Sequence, residues 1–273
     1  MKNLDNLIYW VSERDNILQR KSLGLEAPWS EDCTFQQVYF CNVRREDDKV
    51  TKWIRENYNQ LVPESSATEF NMMLARLVNK PSSLKEMSWP FPFWDDFYHD
   101  VFTSTMAKPK SWGGAYIVST NGRSVPKHEY ICDVLTAALP HFEQVRQATT
   151  LQTAHKALMG IQGLGSFMAA QVVADLKNTK GHALYNAEDW WDWCAFGPGS
   201  LRGMAWVNET EKCTPTEFQH CMPWLRERVD ELLSPDIPKF CNQDLQNCLC
   251  EFDKYMRVST GVGRSKRKYN GRG

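Results

Sequence analysis

The stretch GIQGLGSFMAAQVVADL, residues 160–176, sets Gly163 and Gly165 one residue apart between two apolar stretches of helical spacing. Glycine lets a backbone come close to a phosphate, and the free N–H groups and positive end of a helix starting at Ser166 would face that phosphate. Such a turn holds a nucleic acid by its backbone without reading its sequence. The same Gly-x-Gly string also occurs as an ordinary tight turn between helices. Asp175 lies near the end of the second helix, and Glu188, Asp189 and Asp192 follow in a tryptophan-rich segment. Surroundings of that kind raise a carboxylate's pKa and suit it to work as a general base. For Asp175 the plainer alternative is a hydrogen-bond acceptor at a helix end.

Three more segments carry residues of chemical interest. In FGPGSLRG (196–203), Gly197, Gly199 and Ser200 can form an anion-cradling nest to which Arg202 adds charge; a Gly-Pro loop capping a helix is the commoner use of such a string. In CNVRREDDKVTKW (41–53), Arg45, Asp48 and Thr51 are spaced by three and are expected on one helical face. A surface salt-bridge ladder would look the same, but Asn42 and Arg45 on a turn would suit a base edge or a phosphate. In QNCLCEFDKYMR (246–257), Asn247, Glu251 and Lys254 share a face. Cys241, Cys248 and Cys250 lack the fourth cysteine and the spacing of an iron–sulfur loop. No zinc-binding CxxC pair, HExxH, GxxxxGK[ST] or GxSxG string is present, so no metal site is expected.

The bulk composition bounds these readings. With 273 residues and a hydrophobic fraction of 42%, the chain can bury one generous core or two lobes sharing a cleft. No apolar run approaches the ~20 residues that cross a bilayer, so no membrane role is expected. The N-terminus, MKNLDNLIYWVSERD, is charged throughout and does not read as a secretory signal. Nine cysteines without the spacing of a disulfide framework point to a reduced, cytoplasmic setting. The net charge of −1 hides a basic end: Lys254, Arg257, Arg264, Lys266, Arg267, Lys268 and Arg272 follow one another with no acid between them. A basic, glycine-containing tail over 258–273 suggests contact with a polyanion, or a merely solvated tail. Most of the 11 tryptophans fill a core, although unpaired bases also need flat surfaces to stack on.

The elements that must position these residues are mostly helices. Leu4, Leu7, Ile8, Val11 and Leu18 predict an amphipathic first helix. A second helical region covers Thr34–Tyr58 with a break near Glu46–Asp47, and a third spans Ala67–Asn79, stopped by Pro81. Residues 81–112, rich in proline and aromatics, read as irregular. GGAYIVSTNG (113–122) carries the one β signal, a β-branched run ending in Asn-Gly. Helices follow at about 127–139, 151–159, 166–177, 215–233 and 242–257. The fold class is therefore mainly α with a small β element, a single helical domain over 1–257 with two lobes around a cleft.

Taken together and in this order, VYFCNVRREDDKVTKWI, GGAYIV with Lys127 downstream, GLGSFMAAQVVADL, FGPGSLRG and DLQNCLCEFDKYMR resemble the α-glutamyl/putrescinyl thymine pyrophosphorylase family. These are better described as amino acid:DNA transferases of bacteriophages with hypermodified thymine, and they are related to the helical domain of phage hydroxymethyluracil DNA kinases. The resemblance runs from about residue 34 to 269. It implies a helix-hairpin-helix fold of the DNA-glycosylase type, with the hairpin at 151–177. Glycosylase hairpins often place a nucleophilic lysine two residues past the second glycine, where this chain has Phe167. Attack at the sugar would destroy the product of a transferase, whose reacting carbon is the exocyclic methylene of the base; the grip on DNA and a pocket for a flipped base remain useful.

The implied substrate is double-stranded phage DNA whose hydroxymethyluracil has been pyrophosphorylated by a kinase; this chain, without a phosphate-binding loop, is not expected to activate its own substrate. An amine or amino acid displaces the pyrophosphate. Arg45, Lys127, Arg202 and the Gly197–Ser200 loop would cradle the leaving group. Asp175 or Asp189 would take the proton, with Asp48 beside Arg45; Asn42, Glu251 and Lys254 would contact the substrate. Gly163, Gly165, Ser166, Arg264, Lys266, Arg267 and Lys268 would hold the DNA. No cofactor is implied beyond a monovalent cation bound by the hairpin. A glycosylase acting on modified pyrimidines and a non-catalytic DNA-binding module are the competing readings.

Overall fold

The computed structural model describes residues 2–59, 67–116 and 118–263. In chain order its helices are α1 (Lys2–Ser22), α2 (Cys33–Gln37), α3 (Lys49–Asn59), α4 (Thr68–Val78), α5 (Pro81–Glu86) and α6 (His99–Met106), then α7 (Lys127–Arg146), α8 (Leu151–Met159), α9 (Ser166–Leu176), α10 (Pro198–Asn208), α11 (Pro215–Leu232) and α12 (Asn242–Ser259). The protein is mainly helical, with no strand among the described residues. None of its described helices is long and apolar enough to cross a membrane. The chain divides into two compact units, residues 1–48 with 194–273, and residues 49–193.

The first unit is built on α1, α10, α11 and α12. Leu4, Leu7 and Val11 are buried, as the spacing in α1 requires, and Trp10 joins them. Trp10 packs against Phe35 and Phe40 with ring centroids 6.3 and 6.0 Å away, and Phe35 lies 5.4 Å from Tyr255 of α12. Each buried side chain of this size contributes about 1.5–3 kcal/mol. Helices α10 and α12 touch along Gly203: a Cβ there would stand 2.0 Å from the Leu249 carbonyl oxygen, so only glycine allows this approach. Helix α11 begins with Thr214, whose hydroxyl accepts from the Glu217 N–H (3.2 Å) while the Glu217 carboxylate accepts from the Thr214 N–H (2.7 Å), a reciprocal cap ahead of Pro215.

The second unit wraps around α4. Every residue from Glu69 to Val78 is buried, which marks a helix at the centre of a core rather than on its surface. Glu69, in the first turn, accepts hydrogen bonds from Arg146 (3.0 Å) and pairs with His182 (3.3 Å). Burial opposes ionisation of this carboxyl, but the hydrogen bonds from His182 and Arg146 outweigh it and hold the group below the usual glutamate range. An acid whose pKa is depressed on folding stabilises the fold above its unfolded value of about 4.3 and loses that contribution as pH falls through the folded value. Acid titration followed by circular dichroism is therefore expected to show stability declining below about pH 4.3, and Glu69→Gln is expected to flatten that decline. An unaltered acid profile in the variant would contradict this.

Several boundaries differ from the sequence reading. The region expected to be helical over Thr34–Tyr58 is helical only in α2 and α3; Val38 and Arg44 are extended, Arg45–Asp47 form a 3-10 turn, and Asp48 is extended again. Arg45, Asp48 and Thr51 therefore do not share a helical face. The segment read as irregular, 81–112, contains α5 and α6. Pro81 starts α5 at the first helical position, where its missing N–H has no partner to lose, and Phe102 and Met106 anchor α6 in the core. Helix α7 runs through Pro140 to Arg146 because Phe142 and Val145 beyond it are buried. FGPGSLRG is not a free-standing loop: Gly197 is the N-cap and Pro198 opens α10. The described residues of 113–122 form no strand. A single β-branched run has no ladder to join, and its residues instead tie to helices, Gly113 N–H to the Val78 carbonyl (2.9 Å) and the Tyr116 hydroxyl to Gln171 (3.0 Å).

Candidate functional site

In the second unit, α8, a six-residue turn and α9 form the hairpin that the glycines announce. Leu164, Met168, Ala169, Val172 and Val173 are buried and join the two helices. Gly163 has φ +98°, and a Cβ on it would meet the Tyr130 hydroxyl at 2.5 Å; the turn requires glycine here. Gly165, the N-cap of α9, has nothing within 4 Å of where a Cβ would stand, so its side faces open space. Ser166 opens the helix, and its carbonyl and hydroxyl lie 3.0 and 3.3 Å from the His155 Nε2. Phe167 is exposed in the first turn of α9, 5.4 Å from the Tyr116 ring.

Asp175 is wholly buried. Arg76 binds it in bidentate fashion, through Nε to Oδ2 and through Nη2 to Oδ1 (2.7 Å). Arg76 also donates to Thr51 (2.9 Å), and Arg55 reaches the Asp175 carbonyl (3.2 Å) and carboxylate (3.5 Å). This carboxylate ties α3 and α4 to the end of α9. Asp189 caps α8, accepting from the N–H groups of Leu151 (2.6 Å) and Gln152 (3.0 Å). Lys127 lies half-buried with Nζ 3.9 Å from the Trp112 ring, and burial lowers its pKa.

The first unit gathers Asn42, Arg45, Glu251 and Lys254. Along α12, Asn247, Glu251 and Lys254 recur at i, i+4 and i+7, and each grips the chain between Tyr39 and Asn42. Asn247 donates to the Asn42 carbonyl (3.3 Å), Glu251 accepts from the Cys41 N–H (2.9 Å), and Lys254 donates to the Tyr39 carbonyl (2.9 Å) while pairing with Glu251 (2.7 Å). The Asn42 amide is held by Arg14 and by the Asp47 carbonyl (2.7 Å). Asp244 accepts from the Arg45 N–H (2.9 Å), and Arg44 bridges Asp15 (2.7 Å) and Asp47 (3.1 Å). Asp48 follows this turn with an exposed side chain. The result is a rigid, charge-rich loop, with arginine and lysine close to carboxylates. Elsewhere on α10, the Ser200 hydroxyl accepts from the Gly197 N–H (3.0 Å), Gly199 packs on Cys250, and Arg202 is paired with buried Asp253 (2.9 Å). Arg264, Lys266, Arg267 and Lys268 lie outside the described residues.

The sequence reading passed over Arg14 and Arg76, although both left a signal. Arg14 falls in the apolar stripe of α1 between Val11 and Leu18, and Arg76 stands alone in the run MMLARLV. A charge on an apolar face implies a partner from elsewhere in the fold. Among the described residues no group of three or more His, Cys, Asp or Glu side chains is arranged to hold a metal ion, and none of the nine cysteines is in a disulfide.

A mainly helical protein with a glycine hairpin in one unit and a charged loop clamped on a helix in the other is thus defined. Over residues 1–264 the chain matches the family described as 5-hmdU DNA kinase, helical domain, and it belongs to that family. No curated protein and no solved structure matches it.

Proposed function

We propose that the protein modifies thymine-derived bases in phage DNA, replacing the pyrophosphate of 5-(pyrophosphoryloxymethyl)uracil by an amine. The observation that carries this reading is the family match along almost the whole chain, which ties the chain to hydroxymethyluracil in DNA. The charged loop over 39–48 supports it. In the reaction the amine nitrogen bonds to the exocyclic methylene carbon, the carbon–oxygen bond breaks, and pyrophosphate leaves with the electron pair. Arg45 and Lys254 supply positive charge for the leaving group. Asp48, the exposed carboxylate of that loop, receives the amine proton; Asp175 and Asp189 are left as anchors of the helical framework.

The decisive assay incubates the protein with pyrophosphorylated hydroxymethyluracil DNA and a pool of amines, then analyses the nucleosides by mass spectrometry. An aminated nucleoside is the expected product. Release of free base would instead make the protein a glycosylase. The family description, a domain of a kinase, favours one second reading, a DNA-holding module without chemistry of its own; DNA binding with unchanged nucleosides would select it.

The hairpin holds the DNA backbone in either case. Gly165→Val adds a side chain into open space, so the fold is expected to keep its melting temperature. Loss of one charge-assisted contact to phosphate is expected to weaken DNA binding by about tenfold. Wild-type affinity in the folded variant would remove the hairpin from the interface.

A further inference from the structure

The first unit contains a cavity of about 380 Å³ whose lining includes Arg14, Lys21, Trp29, Phe35, Tyr39 and Phe40. No acidic residue is among those that line it. Arg14 is 6% exposed. Its Nε donates to the Cys41 carbonyl (3.0 Å) and its Nη2 to Asn42, but Nη1 is buried with no hydrogen-bond partner. Nor does Arg14 form an ion pair: the nearby acids are taken, Asp15 by Arg44 (2.7 Å) and Glu251 by Lys254 (2.7 Å). The charges of Glu251 and Asp15 favour the guanidinium, but neither pairs with it directly and together they do not offset its burial. Burial accordingly lowers the Arg14 pKa.

We propose that this cavity binds a small organic carboxylate with an apolar or aromatic body, its carboxylate on the Arg14 guanidinium and its body between the aromatic walls. A carboxylate matches the guanidinium's charge and planar geometry. Phosphate esters fit less well, because a dianion needs several donors and the remaining walls are largely apolar. Lys21, whose Nζ lies 4.4 Å from the Trp29 ring, adds positive charge at the same cavity. No step of the reaction proposed above uses Arg14 or the cavity, although Tyr39 and Phe40 belong both to its wall and to the start of the charged loop.

The test is isothermal titration of the full chain with phenylacetate and 3-phenylpropionate, with phenylacetamide as the neutral counterpart and with inorganic phosphate and uridine 5′-monophosphate as phosphate probes. The carboxylates are expected to bind, and the amide at least about tenfold more weakly, since a charged hydrogen bond is exchanged for a neutral one. Arg14→Gln is expected to abolish binding. Because Arg14 also holds the 40–42 backbone, that variant can fail to fold, so Ala27→Phe, which fills the cavity from an exposed lining position, serves as the second variant and is expected to abolish binding in a folded protein. Equal affinity for acid and amide, undiminished binding by Ala27→Phe, or no carboxylate binding up to about 10 mM would each overturn the proposal. So would binding of phosphate or the nucleotide at this cavity in place of the carboxylates.

Discussion

Asp175→Ala is expected to destabilise the protein by about 3–5 kcal/mol, because it strands the wholly buried guanidinium of Arg76 without its counter-charge. For a chain of this size that is a fall in melting temperature on the order of 10 °C. The remaining acceptors around Arg76, Thr51 (2.9 Å) and Asn79 (3.4 Å), are neutral and cannot replace a carboxylate. Removing both partners is expected to be milder than removing one: Arg76→Met combined with Asp175→Leu leaves only the partly exposed Arg55 without the Asp175 carboxylate and recovers much of the loss. Thermal denaturation of the two variants beside the wild type, followed by circular dichroism, measures this. An Asp175→Ala protein that melts with the wild type would mean that the pair does not anchor the unit.

Asp48→Asn is expected to lower amine transfer by about 10²–10⁴-fold while leaving DNA binding and melting temperature in place. Asparagine keeps the shape of the side chain and its hydrogen-bonding oxygen while removing the proton acceptor. Raising the pH is expected to restore part of the rate, because more of the amine is then already unprotonated. Asp189→Asn provides the contrast. Its carboxylate accepts from two N–H groups at the start of α8, so its loss is expected to appear as about 1 kcal/mol of stability and not as turnover. Wild-type rates for Asp48→Asn, or a pH-independent deficit, would take the base role away from Asp48.

Local patterns in the sequence determined much of the framework. Apolar residues at helical spacing placed α1, α8, α9 and α12 close to where they lie, and the Gly163–Gly165 pair marked a turn that sterics reserve for glycine at Gly163. The face formed by Asn247, Glu251 and Lys254 was legible for the same reason, since residues three and four apart on a helix are neighbours wherever the helix goes. The relation to the helical domain of hydroxymethyluracil DNA kinases, too, followed from motifs in register.

What each polar side chain faces was decided only by tertiary structure. Asp175 read as a candidate general base, with a helix-end acceptor as the alternative; Arg76, 99 residues earlier, holds it in a buried ion pair. Asp189 became the cap of a helix that begins 38 residues before it. The β signal at 113–122 found no neighbouring strand among the described residues, and Pro140 stopped no helix, because burial of Phe142 and Val145 beyond it offsets the lost backbone hydrogen bond. Arg14 was visible as a charge on an apolar stripe, but the sequence could not show that the acids around it pair with other cations. A helix is set by contacts within a few residues, whereas the protonation and partners of a buried charge depend on groups that only the folded chain brings within reach.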